Sequence, residues 1–289
     1  MTEDLKGELI YYQIDLDPDI KLLKTVPISD AHYGNYLFSP SNFNRTIQYL
    51  TDTWDAVGFL NGDLCESTLK SSKGDIFKQV GTPQDQRDWM IEKLYPIRKK
   101  LLGITDGNHE NRIYNETGID ITADIATALD LPYRAGGMLL KVTFGRGNNR
   151  MPNAPYVYWD YFTHGYGGAR TSGAKAVKVE RSSTYVHANA YFMSHDHVSN
   201  AAPANYLLPD NRTHEETRVK TDGSTVKFKV GRVNSQRKIL VKTNAFLKWG
   251  GYSERGGYSP VDLYTPIVYM QGSGNSFEYG RYPCARAII

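Results

Sequence analysis

Cysteine is nearly absent: Cys65 and Cys284 are the two in 289 residues. A secreted chain of this size more often carries a set of structural bridges, so a reducing compartment, the cytoplasm, is expected. Long apolar runs are missing too. None approaches the ~20 residues that span a bilayer, which excludes a protein embedded by helices. The opening residues, MTEDLKGELIYYQIDLDPDIK, are acidic and polar where a signal peptide has a basic segment followed by an apolar one. No export signal is expected from them. Charge of one sign is not in excess either: the formal net charge is +3, so composition does not demand a polyanionic partner, though it is compatible with one. Internal repeats and low-complexity tracts are lacking, and nothing in the sequence sets an oligomeric state.

What is present suits a folded enzyme-sized unit. Hydrophobic residues make up 40% and aromatic residues 12%, enough for a substantial core. One domain over 1–289 is expected, with an N-terminal extension (1–23), a motif-bearing core (24–200), and further strands and a tail (201–289).

Short apolar runs that stop at polar residues alternate with helical patterns in the first half, as when sheet strands feed functional loops. Lys24 to Ser29 stops at Asp30, Ala56 to Asn61 at Gly62-Asp63, and Leu101 to Thr105 at Asp106-Gly107. Between the first two, Ser39-Pro40 reads as an N-cap and first-turn proline before Phe43, Ile47 and Leu50. Thr82-Pro83 repeats the signal before Trp89, Met90, Leu94 and Ile97. The unit is strand, helix, strand, helix, strand, so parallel pairing with right-handed crossovers is expected. Tyr156 to Thr163 and Ala190 to Ser194 are rich in Tyr, Val and Phe, and both run into histidine. Past residue 201, Thr225–Val230 and Lys238–Lys242 alternate as antiparallel strands do, with Thr221-Asp222-Gly223-Ser224 as a turn. This last part is expected to form a second sheet packed on the first.

Of seven histidines, His32, His109, His164, His195 and His197 fall at or just past predicted strand ends, where open α/β sheets bind ligands. In Ser29-Asp30-Ala31-His32 a carboxylate and an imidazole two residues apart can reach one ion; an ordinary loop is the bland alternative. Gly62 permits a tight turn that brings Asp63 to the strand tip, where one carboxylate can bridge two cations, although a helix N-cap also accounts for it. Gly107-Asn108-His109-Glu110 offers a neutral oxygen and an imidazole free to face a substrate. Thr163-His164-Gly165 and Ser194-His195-Asp196-His197 add three imidazoles. A lone histidine is more often a packing residue, but the strand-end position of His164 beside flexible glycines favours a ligand.

In order, Asp-x-His, Gly-Asp with an acid three residues on, Gly-Asn-His-Glu, His and His-x-His resemble the calcineurin-like metallophosphoesterase superfamily over residues 25–200. The last motif departs from the family's Gly-His-x-His by placing Ser194 before His195, which touches backbone freedom and not the donors. The resemblance implies an α/β fold, a four-layer α-β-β-α sandwich of two mixed β-sheets flanked by helices. It implies that Asp30, His32 and His197 hold one metal ion and Asn108, His164 and His195 a second, with Asp63 bridging. Two cations ~3.5–4 Å apart acidify a water between them and neutralise phosphoryl oxygens. A nitrogen and oxygen donor set without cysteine suits Mn²⁺, Fe or Zn²⁺, and Mn²⁺ is taken as the activating ion.

By the same resemblance His109 protonates the leaving alkoxide or stabilises its charge, and Glu66 orients His109; an exposed loop acid is the alternative for Glu66. Arg112 is read as a clamp on a phosphate oxygen, against a plain surface arginine at a helix start. Phosphoprotein phosphatases carry arginines where this chain has Asp106 and Ser67, which argues against a close match to them. Arg170, Lys175, Lys178 and Arg181 form a basic run, and Tyr33, Tyr36, Tyr166 and Tyr185 offer stacking faces. The favoured substrate is therefore a phosphodiester, in DNA or another nucleic acid or in a nucleotide. The alternatives are a phosphomonoesterase acting on a small molecule or phosphoprotein, and a metal-holding module without turnover, which the complete donor set disfavours. The tail from Gly251 onward reads either as a substrate-shaping loop or as a packing strap.

Overall fold

A computed structural model gives the fold and describes residues 8–72, 74–147, 151–274 and 284–287. In chain order the strands are β1 (Tyr11–Asp15), β2 (Leu22–Ile28), β3 (Ala56–Asn61), β4 (Leu101–Thr105), β5 (Tyr133–Arg134), β6 (Met138–Phe144), β7 (Tyr156–Thr163), β8 (Ala190–Met193), β9 (Asn200–Val219), β10 (Thr225–Lys242), β11 (Pro266–Gln271) and β12 (Cys284–Ala287). The helices are α1 (Pro40–Asp52), α2 (Pro83–Leu94), α3 (Asn108–Thr117), α4 (Ile121–Ala128), α5 (Ser172–Tyr185) and the short α6 (Tyr252–Arg255).

Two six-stranded mixed sheets result, in the orders β12-β11-β2-β3-β4-β5 and β1-β6-β7-β8-β10-β9. In the first, β2 to β5 run parallel and β11 is antiparallel to β2. Strands β3 and β4 are buried along their whole length, AVGFLN and LLGIT, because both faces are covered. One face meets the second sheet, where the Phe59 ring stacks on Phe162 at 4.3 Å and stands edge-on to Phe192 at 4.7 Å. The other carries α1 to α4, whose Phe43, Leu50, Met90, Leu94, Ile113 and Ile125 form a separate apolar layer. Helix α5 covers the far face of the second sheet through Val179, against Tyr191 and Leu240. These are the four layers of an α-β-β-α sandwich.

Pro40 and Pro83 begin α1 and α2 as the sequence indicates, by different devices. Thr82 closes a capping box, its Oγ1 accepting from Asp85 N while Asp85 accepts from Thr82 N. Ser39 makes no side-chain cap bond, so the fixed φ of Pro40 starts α1.

The strands are shared between the sheets differently from the expectation. The second sheet takes β1, β6, β7 and β8 from before residue 200, and β11 and β12 from the tail return to the first sheet. Apolar runs report burial but not which distant partner supplies it. Even β1, inside the N-terminal extension, pairs in parallel with β6 from Tyr11↔Leu139 to Asp15↔Thr143. The stretches 225–230 and 238–242 belong to one strand, β10, which forms a long hairpin with β9 across the turn at 221–224. Only Ile239–Lys242 of β10 pairs with β8, and the remainder is a two-stranded ribbon of mostly exposed residues. Among the described residues no helix is long and apolar enough to cross a membrane.

Candidate metal centre

The loops that follow β2, β3, β4, β7 and β8 bring Asp30, His32, Asp63, Asn108, His109, His164, His195 and His197 to one edge of the sandwich. Backbone strain concentrates there. Seven described non-glycine residues have positive φ, and five of them are Asp30 (47°), His32 (48°), Asp63 (50°), His195 (70°) and His197 (52°). Each such residue costs on the order of 1–3 kcal/mol and persists where its surroundings over-determine it. They do so here: Asp30 N donates to Gly62 O (3.0 Å), His32 N to Asp63 O (3.0 Å), and His195 N to the Asp30 carboxylate (3.2 Å). Gly107 is obligatory beside them, since a Cβ there would lie 2.1 Å from Asp63 N.

Three imidazoles have their outward nitrogen fixed by an acceptor, which leaves the other turned into the cluster. His164 Nδ1–H donates to Asn61 O (2.9 Å), His195 Nε2–H to Gly167 O (2.7 Å), and His32 Nδ1–H to Glu66 Oε2 (3.1 Å). The inward nitrogens then meet one another. His195 Nδ1 lies 3.3 Å from His164 Nε2, so their lone pairs converge unless a positive charge sits between them, and His32 Nε2 lies 3.1 Å from His197 Nε2. Carboxylates complete two groups: Asp30 Oδ1 is 3.2 Å from His197 Nε2, and Asp63 Oδ2 is 3.1 Å from His164 Nε2. Within each of the sets Asp30, His32, His197 and Asp63, His164, His195 the donor atoms all lie within 4.8 Å of one another. Asn108 Oδ1 joins the second at 3.2 Å from His164 Nε2. Asp63 Oδ2 is also 3.8 Å from His32 Nε2, so this carboxylate reaches both groups. Nitrogen and oxygen donors, with three of the imidazoles locked in their tautomers, fit borderline divalent metal.

The electrostatics point the same way. Burial raises the Asp63 carboxyl, but the neighbouring His164 and His109 outweigh it and hold it well below the usual range. Burial lowers His164, yet Asp63 and Asp30 push it up to about 10. His32 is lowered, by burial first and then by His109. The cluster thus draws cationic charge into a site that burial alone would keep neutral.

His109 lies beside these donors, with its Nδ1–H on the backbone carbonyl of Glu66 (2.5 Å) and its Nε2 3.9 Å from Asp63 Oδ2, and forms a third group with His32 and Glu66 whose donor atoms lie within 4.8 Å of one another. The expected pairing with the Glu66 side chain is displaced: that carboxylate is buried, bonds His32, and lies 3.9 Å from His109 Nδ1. Residue 66 therefore orients His109 through its main chain and His32 through its side chain. Arg112 borders the cavity over the cluster and donates from Nη1 to Ser72 Oγ (2.8 Å).

Several residues of the site carried no role in the sequence reading. Glu110 is buried and accepts from the backbone N–H of Asp63 (3.0 Å), Cys65 (2.9 Å) and Gly107 (3.2 Å), so it clamps the Asp63 loop. Burial, then Asp63, raise its carboxyl to about 7. Asn61 accepts from His164 and donates to Ser194 Oγ (2.5 Å), tying the two sheets together at the edge. Of the basic run on α5, Lys175 and Lys178 turn inward onto Asp196 and do not form a free cationic face. Tyr33 is likewise consumed, stacked on Trp89 at 3.6 Å.

Comparison with known proteins adds little. No family model matches the chain, and no curated protein does. Against the crystal structure of a conserved uncharacterized protein from Streptococcus pneumoniae TIGR4, described as a predicted phosphoesterase, 86% of this chain aligns with 84% of that one at 10% identity and a TM-score of 0.35. So loose a superposition carries no argument about the site.

A cavity of about 620 Å³ opens above the cluster. His32, Asp63, Asn108, His109, His195 and His197 border its floor, and its walls come from Ser71, Ser72 and the segments around Gly74–Gln79, Gly167–Ala169 and Lys248–Val261. Part of the tail from Gly251 is thus a wall of the site, while residues 275–283 lie outside the described residues.

Proposed function

We propose that the chain is a two-metal phosphoesterase of the calcineurin-like kind, acting on phosphodiesters of nucleotides or nucleic acid. The observation that carries this reading is the set of imidazoles whose outward N–H groups are each held by an acceptor, so that their free lone pairs and two carboxylates converge. In this reading Asp30, His32 and His197 would hold one divalent cation and Asn108, His164 and His195 a second, with Asp63 within reach of both groups. Mn²⁺ suits the donors, with Fe or Zn²⁺ as alternatives. Bound there, the ions supply Lewis acidity and a water acidified toward neutrality.

The side chains do the rest. Glu110 fixes the backbone that carries Asp63, and Glu66 fixes the tautomer of His32. In its protonated form His109 keeps Nδ1–H on the Glu66 carbonyl and gives the Nε2 proton to the departing alkoxide, a contribution typically of ~10²–10⁴-fold. Arg112 retains guanidinium N–H groups for a phosphate oxygen beyond the one bonded to Ser72.

The test is hydrolysis of bis-p-nitrophenyl phosphate and p-nitrophenyl phosphate by the Mn²⁺-loaded protein, followed by single- and double-stranded DNA. Selective diester cleavage is expected. Monoester selectivity would transfer the protein to the phosphomonoesterases, and silence from a protein shown by calorimetry to hold Mn²⁺ would leave a metal-holding module.

A further inference from the structure

One wall of the cavity is built by residues outside the donor cluster. Past β10 the chain turns back over the cluster: Phe246 N donates to Asp30 O (3.0 Å), Ser39 N to Phe246 O (2.7 Å), and Lys248 N to Leu37 O (2.9 Å). An antiparallel bridge joins Phe38 to Leu247. Continued by two residues, that register sets Tyr36 opposite Trp249. Both border the cavity and both are half exposed, Tyr36 at 46% and Trp249 at 47%.

Each ring is held in place. Trp249 Nε1–H donates to Tyr258 O (2.7 Å), which fixes the indole by its edge. Gly251 approaches Tyr36 so closely that a Cβ would lie 2.2 Å from the hydroxyl, and Lys78 Nζ stands 5.2 Å from the ring centre. Basic residues share the cavity: Lys78, Arg112, Lys248 and Arg255 all border it. Two fixed aromatic faces beside several cations, above a site for a phosphate, match a ligand with a flat heterocycle and an anionic tail.

Resting on the reading that the cluster below is where a phosphate ester reacts, we propose that this wall is a nucleoside subsite. Tyr36 and Trp249 stack on the base of a single nucleotide unit, and Lys78, Lys248 and Arg255 face its phosphates. A cavity of about 620 Å³ takes one such unit, within the ~300–1,000 Å³ of small-molecule sites.

The test compares two esters with the same scissile bond and leaving group, thymidine 5′-(p-nitrophenyl phosphate) and methyl p-nitrophenyl phosphate. The thymidine ester is expected to have the higher kcat/KM. Trp249→Ala should shrink that preference by about ten- to a hundredfold through KM, the range of one lost stacking contact, while Trp249→Phe keeps most of it. An equal preference in wild type and Trp249→Ala would overturn the subsite.

Titration of the Mn²⁺-loaded protein with adenosine 5′-monophosphate, by calorimetry and indole fluorescence, separates this from the parent reading. Saturable binding with quenching that vanishes in Trp249→Phe, while the calorimetric signal remains, supports the subsite even if neither ester is cleaved; in that case the hydrolase reading alone fails. No binding overturns the subsite even if both esters are cleaved.

Discussion

Lys242 Nζ lies 2.7 Å from Asp196 Oδ2 in the interior, directly beneath the two histidines that flank Asp196 in sequence. Lys178 Nζ takes the other carboxylate oxygen at 2.7 Å, and Lys242 also donates to Ser194 O (2.8 Å). Asp196 thus anchors the loop that presents His195 and His197 in left-handed backbone conformations. Removing one member of a buried pair typically costs ~3–5 kcal/mol because the other charge is left uncompensated. Because Lys178 still compensates Asp196, Lys242→Met should cost less than that while weakening Mn²⁺ binding, and Asp196→Asn, which leaves both lysines without their carboxylate, should cost more. Calorimetry of both variants, folding and metal titration together, is the check.

Asp63 is the carboxylate within reach of both donor groups, so its charge should matter more than its shape. Asp63→Asn keeps the volume and is expected to weaken metal binding at least ~100-fold, the upper end seen for outer partners of a metal site, and to abolish hydrolysis. Glu110→Gln touches no donor directly but disturbs the Asp63 loop, and a loss of ~10–100-fold in metal affinity is expected. Metal titration of the folded variants measures both.

His109 faces the cavity and belongs to neither of the two donor groups that share Asp30 or Asp63. His109→Ala should leave Mn²⁺ affinity nearly intact while lowering kcat by ~10²–10⁴-fold. The loss should be largest for an alkyl leaving group and small for p-nitrophenolate, which needs little protonation. A variant equally impaired on both would refute the acid role.

Asp160 is buried in β7 with Oδ1 unpartnered, and burial pushes its carboxyl up to about 8. In the unfolded chain an aspartate titrates near ~3.9. Between those values the native state binds a proton that the unfolded state has released, so this residue's contribution is fully present below about pH 4 and is lost as pH rises to about 8. Asp160→Asn removes the titration. Its stability relative to wild type should therefore rise across that window, read as the difference in Tm at pH 5 and at pH 8.5.

Several strand ends along this edge were legible in the sequence. The runs 56–61, 101–105 and 156–163 are strands with the boundaries expected of them, and Asp63, Asn108 and His164, which follow them, meet in space. Those signals are local, since an apolar run broken by a glycine and an acid says where a strand ends. What was not legible is non-local. Nothing in Tyr156–Thr163 tells which sheet it joins. Nothing in Ile239-Leu240-Val241-Lys242 tells that its lysine is buried against Asp196, since the same alternation describes an exposed strand. The turning of Lys175 and Lys178 toward the core was hidden for the same reason, because a helix face shows its period in sequence but not its orientation.

Among the described residues β9 ends its sheet, with no strand hydrogen-bonded to its outer side. Such an edge is a template on which another chain can add a strand. Here Pro203 and Pro209 sit within β9, and a proline in an edge strand points its missing N–H outward. The row of donors that an incoming strand would need is therefore interrupted twice along the first half of β9, at residues 203 and 209.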